Sequence, residues 1–224
     1  LWDYLFSYDH EYDWEAEWLY GWDEKDVELF GTLEYTLPTD FNVRRYYTKD
    51  VQYGQHTAPY RNYVVGTTLS AKYNFGYWDI LAWSEIHTSD GIQSIRIDET
   101  STYDYVTAHT GQTMTPSRYN APRFTRAFYQ PEALFSGYTP GIEINKNLDG
   151  FVFDEERNVW VKHLDMTLQP VTYIYLPQII LHHNNRNQRI VTSIDGNANL
   201  SGMSRSVNLN TGITGPDAIT VNYN

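Results

Sequence analysis

From residue 12 to residue 22 every even position is apolar (Tyr12, Trp14, Ala16, Trp18, Tyr20 and Trp22), while Glu11, Asp13, Glu15, Glu17 and Asp23 stand at odd positions. A period of two sends successive side chains to opposite faces of a sheet, so the aromatics gather on one face and the carboxylates on the other. A helix competes for the same stretch, because Trp14, Trp18 and Trp22 also stand four apart. The unbroken even series favours the strand.

The rest of the chain repeats the theme. Long apolar repeats at helical period are scarce, and short alternating runs bounded by Gly, Asn, Asp and Pro are common, which predicts an all-β protein. Residues 41–48, FNVRRYYT, follow Pro38 and Asp40 and read as a strand. So does the β-branched run 63–73. Two further strands, 76–86 and 92–99, are separated by a short connection containing Asp90-Gly91, a pair that suits a tight turn, and are expected to pair. Residues 107–120 are rich in Thr, Gly, Ser and Pro and read as a loop. In QPEALFSG, 130–137, Pro131 suits a first helical position and Gly137 a stop, so one or two helical turns are expected. A second β-rich region covers 150–170 and 172–183, with a hairpin turn near 155–158. After it come an Asn/Gly-rich loop at 189–204 and a final strand at 217–224. A boundary placed near 137–141 divides the chain into domains 1–138 and 139–224.

Composition narrows the function classes. With 36 aromatic residues among 224, the chain has far too many core-forming side chains to be disordered throughout. The net charge of -12 is concentrated at one end: residues 1–34 hold 11 acids and one base, and the other 190 residues carry only -2. Such a field repels nucleic acid and anionic lipid surfaces. There is no cysteine, so disulfides, thiolate metal sites and Cys nucleophiles are excluded together. No run of 18 apolar residues is present to span a membrane as a helix. The sequence starts at Leu1 without Met, as expected where an N-terminal portion, with any secretion signal, has been removed or omitted.

Motifs that carry chemistry are few. The histidines, His10, His56, His87, His109, His163, His182 and His183, form neither His-x-His nor HExxH, and neighbours such as His182 and His183 point to opposite faces of a strand. They read as scattered surface or loop residues, and no metal site is expected. Asp195, Asn197 and Asn199 open like a calcium loop, but Leu200 and Ser206 stand where Gly and Glu are needed, so a turn is expected. The tripeptide Asn199-Leu200-Ser201 fits a glycosylation sequon and is short enough to arise by chance. Nucleophile elbow, Walker loop and dinucleotide fingerprint are absent. A glycosidase needs two carboxylates at a set separation, which sequence does not fix, and the N-terminal acids are explained as a solvated sheet face. The expectation is therefore a protein without catalytic residues or cofactor. Aromatic side chains offer a binding alternative: Trp14, Trp18 and Trp22, exposed, would make stacking platforms for sugar rings, although aromatics in a β-sandwich mostly fill its core.

Two sets of residues resemble a known family. PTDFNVRRYYTKD at 38–50 and YNFGYWDILAWSEI at 73–86 resemble a Pro-led strand ending in paired aromatics and the Gly-Tyr-x-Asp-Leu-Leu type strand that follows it in surface lipoproteins of gut Bacteroidetes. RIVTSIDGNANLSGMSRSVNLNTGITG at 189–215 is similar to the Leu-Ser-Gly-Met run and Asn-Leu-x-Thr-Gly turn of fimbrillin-like and fimbrial accessory proteins, and QPEALFSG to their interdomain link. Together these stretches cover about a third of the chain, and the resemblance implies relatives that are catalogued only as a domain of unknown function. The resemblance implies two tandem transthyretin-like, Greek-key β-sandwich domains at the cell surface. It further implies an outer-membrane lipoprotein tethered through a lipidated Cys upstream of Leu1, a residue this sequence lacks. The implied role is adhesion or pilus assembly, in which one subunit adds a strand to another's open sheet, with other pilus or surface subunits and host or bacterial surface ligands as partners. The terminal strands, the acidic N-terminal one and 217–224, are the candidates for exchange, against the alternative that each completes its own domain.

Overall fold

A computed structural model describes residues 37–52, 57–88, 91–99, 106–116, 126–173 and 198–223. Leu37 apart, they belong to one of the chain's two units, Pro38–Ile174 together with Leu181–Asn224. Among the described residues there are 14 strands and no helix, so the all-β expectation holds.

The strands form four sheets. A five-stranded sheet is built on β1 (Asp40–Thr48), β2 (Tyr60–Val65), β3 (Gly76–Ser84), β8 (Phe135–Ile144) and β11 (Gln169–Pro170), in the order β11-β8-β3-β1-β2. A three-stranded sheet holds β4 (Ile95–Asp98), β5 (Thr107–Thr110) and β13 (Ser206–Asn208), with β5 in the middle. A four-stranded sheet has the order β12-β14-β7-β6, from β6 (Gln112–Pro116), β7 (Arg126–Phe128), β12 (Ala198–Ser204) and β14 (Ala218–Tyr223). The hairpin of β9 (Val152–Asp154) and β10 (Val159–Val161) is the fourth.

Alternation in β1 and β3 decides where the core lies. The main cluster joins Tyr46 of β1 and Leu81 and Trp83 of β3 to Ile95, Ala108 and Val207 of the three-stranded sheet, so these two sheets face each other in a sandwich-like layer. The opposite face of the five-stranded sheet presents Val43, Val64, Ile80 and Ala82, covered by Leu69, Tyr73, Ile142, Met166 and Leu168. With both its faces packed, β3 is buried from Trp78 to Ser84. Its buried carboxylate, Asp79, lies where the β3–β8 register shifts and accepts hydrogen bonds from Tyr138 Oη (3.0 Å) and Gly141 N (2.6 Å). A third cluster, Phe128, Ile219 and Val221 with Met203 against it, covers the four-stranded sheet.

Several local expectations hold. Strand 41–48 is β1, and the turn at 155–158 joins β9 to β10 with Asn158 at a φ of 54°, the left-handed geometry that Asn tolerates. The final strand is β14. Others are corrected. Strands 76–86 and 92–99 do not pair: β3 is bonded to β1 on one edge and β8 on the other, leaving no edge for β4, which lies against β5 in a different sheet. The 107–120 segment is no loop over its described part but supplies β5 and β6, because its threonines bury well: Thr110 and Thr113 donate to the carbonyls of Tyr129 and Ala127. No helical turn forms at 130–137. There, Leu134 N donates to Thr172 Oγ1 and Phe135 N to Ser84 Oγ, and the chain enters β8. The Asn/Gly-rich stretch is strand β12 from Ala198 onward. Residues 138 and 139 both lie in β8, and β5 pairs with β13.

Candidate functional site

The sheet edge at β2 is the most organised surface feature among the described residues. Gly66 N donates to Thr39 O at 2.7 Å, next to the pair Asp40↔Val65. By the two-residue period of an antiparallel ladder, the N–H groups of Val64 and Asn62 point inward to β1 and those of Arg61, Tyr63 and Val65 point outward. No described strand lies beyond them. Natural edges are usually protected by Lys, Pro, a bulge or shortness. In YRNYVV the only charged side chain is Arg61, the register with β1 is unbroken over six residues, and Tyr60, Tyr63 and Val65 are exposed.

The inner side of this strand is held at both ends. Near its start, Arg45 of β1 donates from Nε to Asn62 Oδ1 at 3.1 Å and from Nη1 to Lys72 O at 3.2 Å. The same guanidinium lies over the rings of Tyr60, Tyr73 and Trp78, at 5.3, 5.0 and 5.9 Å from their centroids. Near its end, the buried carboxylate of Asp40 accepts a hydrogen bond from Tyr63 Oη on one oxygen and lies 2.7 Å from His87 Nε2 on the other. His87, on the segment leaving β3, is exposed. The adjoining Asn42 donates to Glu85 at 2.5 Å.

Charge follows geometry in this cluster. The hydrogen bond from Tyr63, and then that from His87, stabilises the ionised Asp40 and lowers its pKa. The same carboxylate raises the pKa of Tyr63, whose proton it holds, and of His87, whose cation it favours. Both carboxylate oxygens are engaged, with Thr39 Oγ1 also donating to Oδ1 at 3.4 Å, so the arrangement acts as a fastener linking β1, β2 and the exit of β3.

A second surface feature is apolar. In the β9–β10 hairpin, Phe153 pairs directly with Trp160, their ring centroids 5.2 Å apart and their planes at 57°, and both rings are exposed, as are Val152 and Val159.

The sugar-platform residues Trp14, Trp18 and Trp22 lie outside the described residues. Of the described tryptophans, Trp78 and Trp83 are buried at 1% and 3% exposure and Trp160 is 52% exposed. Among the described histidines, His163 is exposed on an irregular segment, but His109 lies in strand β5 and is half-buried. No group of three metal-ligating side chains occurs among the described residues. Nothing in the sequence marks Asp40, Tyr63 and His87 as a unit, since they are up to 47 positions apart. Compared with known proteins, the chain matches no family model, no curated protein and no solved structure.

Proposed function

We propose that this chain is a non-enzymatic cell-surface protein of the adhesin or fimbrial accessory type, assembling by accepting a strand from another subunit along β2. The observation that carries the reading is the edge itself: six residues in unbroken register, clamped from inside by Arg45 and Asp40, with the N–H groups of Arg61, Tyr63 and Val65 directed outward. Strand addition needs such an edge, because the incoming backbone gains hydrogen bonds only where the acceptor's groups are already aligned. The resemblance of 38–50, 73–86 and 189–215 to fimbrillin-like surface lipoproteins points the same way, and on this reading the protein is tethered at the outer membrane and arranged as tandem β-sandwich domains. Of the two terminal candidates for donation, β14 lies between β12 and β7 in its own sheet. That leaves the acidic alternating stretch 11–23 as the donor from a second subunit, its carboxylates complementary to Arg61.

The test uses a synthetic peptide of residues 11–23 and amide hydrogen exchange of the intact protein. Added peptide should slow exchange at Arg61, Tyr63 and Val65, and Val65→Pro, which removes an outward N–H and leaves the inward ladder intact, should weaken peptide binding about tenfold. Unchanged exchange at all three amides, with Val65→Pro binding as the parent does, would sink the reading.

A further inference from the structure

The outward face of the three-stranded sheet carries a set of side chains that the edge-pairing reading does not use. In register, Arg96, His109 and Ser206 stand directly opposite one another across β4, β5 and β13, as do Asp98, Thr107 and Asn208 one step along. Their neighbours Ile95, Ala108 and Val207 point into the core, so both rows face away from it. Where the chain passes from β12 to β13, Arg205 joins them. Its backbone N–H bonds to Asp217 O at 3.0 Å, and its guanidinium lies 5.5 Å from the centre of the Phe128 ring. Thr107, His109, Arg205, Ser206 and Asp217 line an open groove of about 220 Å³.

Two observations give this groove a ligand chemistry. Arg44, Arg61 and Arg157 each face a carboxylate, whereas Arg96 and Arg205 have no acidic partner at ion-pair distance among the described residues. A guanidinium in the groove with no counter-ion among the described residues, fixed against an aromatic ring, suits a planar carboxylate that it can grip with paired N–H groups, and the second, Arg96, adds positive field beside it. Meanwhile Asp217 and Asp98 place negative charge on the same face. They disfavour a doubly charged phosphate more than a singly charged carboxylate, and Asp217, in the groove, can accept hydrogen bonds from hydroxyl groups. Partial burial, and then the positive charge of Arg205, lower the pKa of His109, and the neutral ring this favours both donates and accepts. The hydroxyls of Thr107 and Ser206 do the same.

We infer that this groove binds one ring of an acidic sugar, its carboxylate held by Arg205 and drawn by the field of Arg96, which stands beside the groove across His109, and its hydroxyls held by Asp217, His109, Thr107 and Ser206. A hexuronate matches each requirement: one negative charge, several hydroxyls and the size of a single ring. The inference is independent of strand pairing at β2, which lies in a different sheet.

The test is a titration of the intact protein with sodium D-glucuronate, followed by amide and imidazole NMR shifts, with D-glucose, acetate and inorganic phosphate as parallel arms. Glucuronate should shift Thr107, His109 and Ser206 and saturate in the millimolar range. Glucose and acetate, each offering half of the recognition, should bind at least about tenfold more weakly. Arg96→Ala, at an exposed position outside the core, should weaken glucuronate about tenfold, and Arg205→Ala at least as much. The inference is overturned by glucose equal to glucuronate, by acetate or phosphate equal to glucuronate with the same residues shifted, by no shift at all, or by an Arg96→Ala protein that binds as the parent does.

Discussion

The guanidinium of Arg44 grips both carboxylate oxygens of Glu99, Nε to Oε2 at 2.7 Å and Nη2 to Oε1 at 2.8 Å, and so ties the five-stranded sheet to the end of β4 in the three-stranded one. Arg44 is buried, and its charged group lies 4.6 Å from the centre of the Trp83 ring, within the layer between the two sheets. A charge in that layer is tolerated because it is paired. Removing one partner leaves the other charge desolvated, at a cost larger than the net value of the pair.

Glu99→Ala should therefore destabilise the protein by about 2–3 kcal/mol, below the usual loss for a fully buried pair because Glu99 keeps some contact with water. Urea denaturation would measure it. Arg44→Met with Glu99→Leu should recover most of the loss, since the one charge left without its partner, Arg61, is exposed to water. The pair also has a pH signature. Arg44 lowers the folded-state pKa of Glu99 below its ordinary 4.5, so the stabilisation is fully present above that value. It disappears as pH falls through the lowered value. Glu99→Gln should make the acid limb of the stability curve shallower.

At Asp40 and His87 the sign is split. Asp40 is lowered by Tyr63 and His87, so its contribution is present above its ordinary 3.8 and is lost as pH falls through the folded value. His87 is raised by Asp40, so its contribution is fully present below 6.5 and fades as pH rises through the folded value. The clamp on β2 is thus strongest in the window between the two ordinary values, 3.8 and 6.5. In an NMR titration His87 should protonate above its ordinary pKa of 6.5. In Asp40→Asn it should return to that value or below. Hydrogen exchange at Val64 should be slowest inside the same window.

How far these features were legible in the sequence depended on range. The β9–β10 turn was readable because its chemistry is local: an Asn at the left-handed position between two short apolar runs. Strands β1 and β3 were readable because buried residues leave a dense apolar pattern. The β3–β4 hairpin was misread for the same local reason. Gly91 does adopt the left-handed geometry that the turn reading required, with φ at 75°, but the chain uses it to leave one sheet for another. Strands β5 and β6 were missed because threonine counts as polar in composition, yet its hydroxyl is satisfied by a nearby carbonyl and its methyl group packs. Neither the Asp40 cluster nor the Arg96–His109–Ser206 row was visible, since register alone brings those residues together.

Glycine positions allow a ranking. Gly76, at φ 136°, begins β3 so close to β1 that an added Cβ would lie 2.7 Å from Thr48 O and 2.8 Å from a Tyr47 ring carbon. Gly91, at φ 75°, has no atom of the described residues within 4 Å of such a Cβ, its chain neighbours apart. Gly91→Ala should cost about 1–2 kcal/mol of backbone strain alone. Gly76→Ala adds overpacking and should cost about 3 kcal/mol or more. Thermal denaturation of the two variants should preserve this order, and equal losses would show that backbone angle alone governs both positions.

Tryptophan substitutions separate core from surface. Trp78 is 1% exposed and packs among Tyr47, Tyr60 and Tyr73, with its Nε1 donating to Asn74 O at 2.9 Å. Trp78→Ala should cost about 3–5 kcal/mol, through the cavity left and the loss of a ring that helps seat Arg45. Trp160 is 52% exposed, and its one aromatic contact among the described residues is Phe153. Trp160→Ala should cost about 1 kcal/mol or less, the value of a single aromatic pair on a two-stranded ribbon. Its loss should leave the urea midpoint nearly unchanged while raising hydrogen exchange at Val152 and Val159. A large shift of the global midpoint would mean that this hairpin is coupled to the folding of the sheets, contrary to its separate place in the topology.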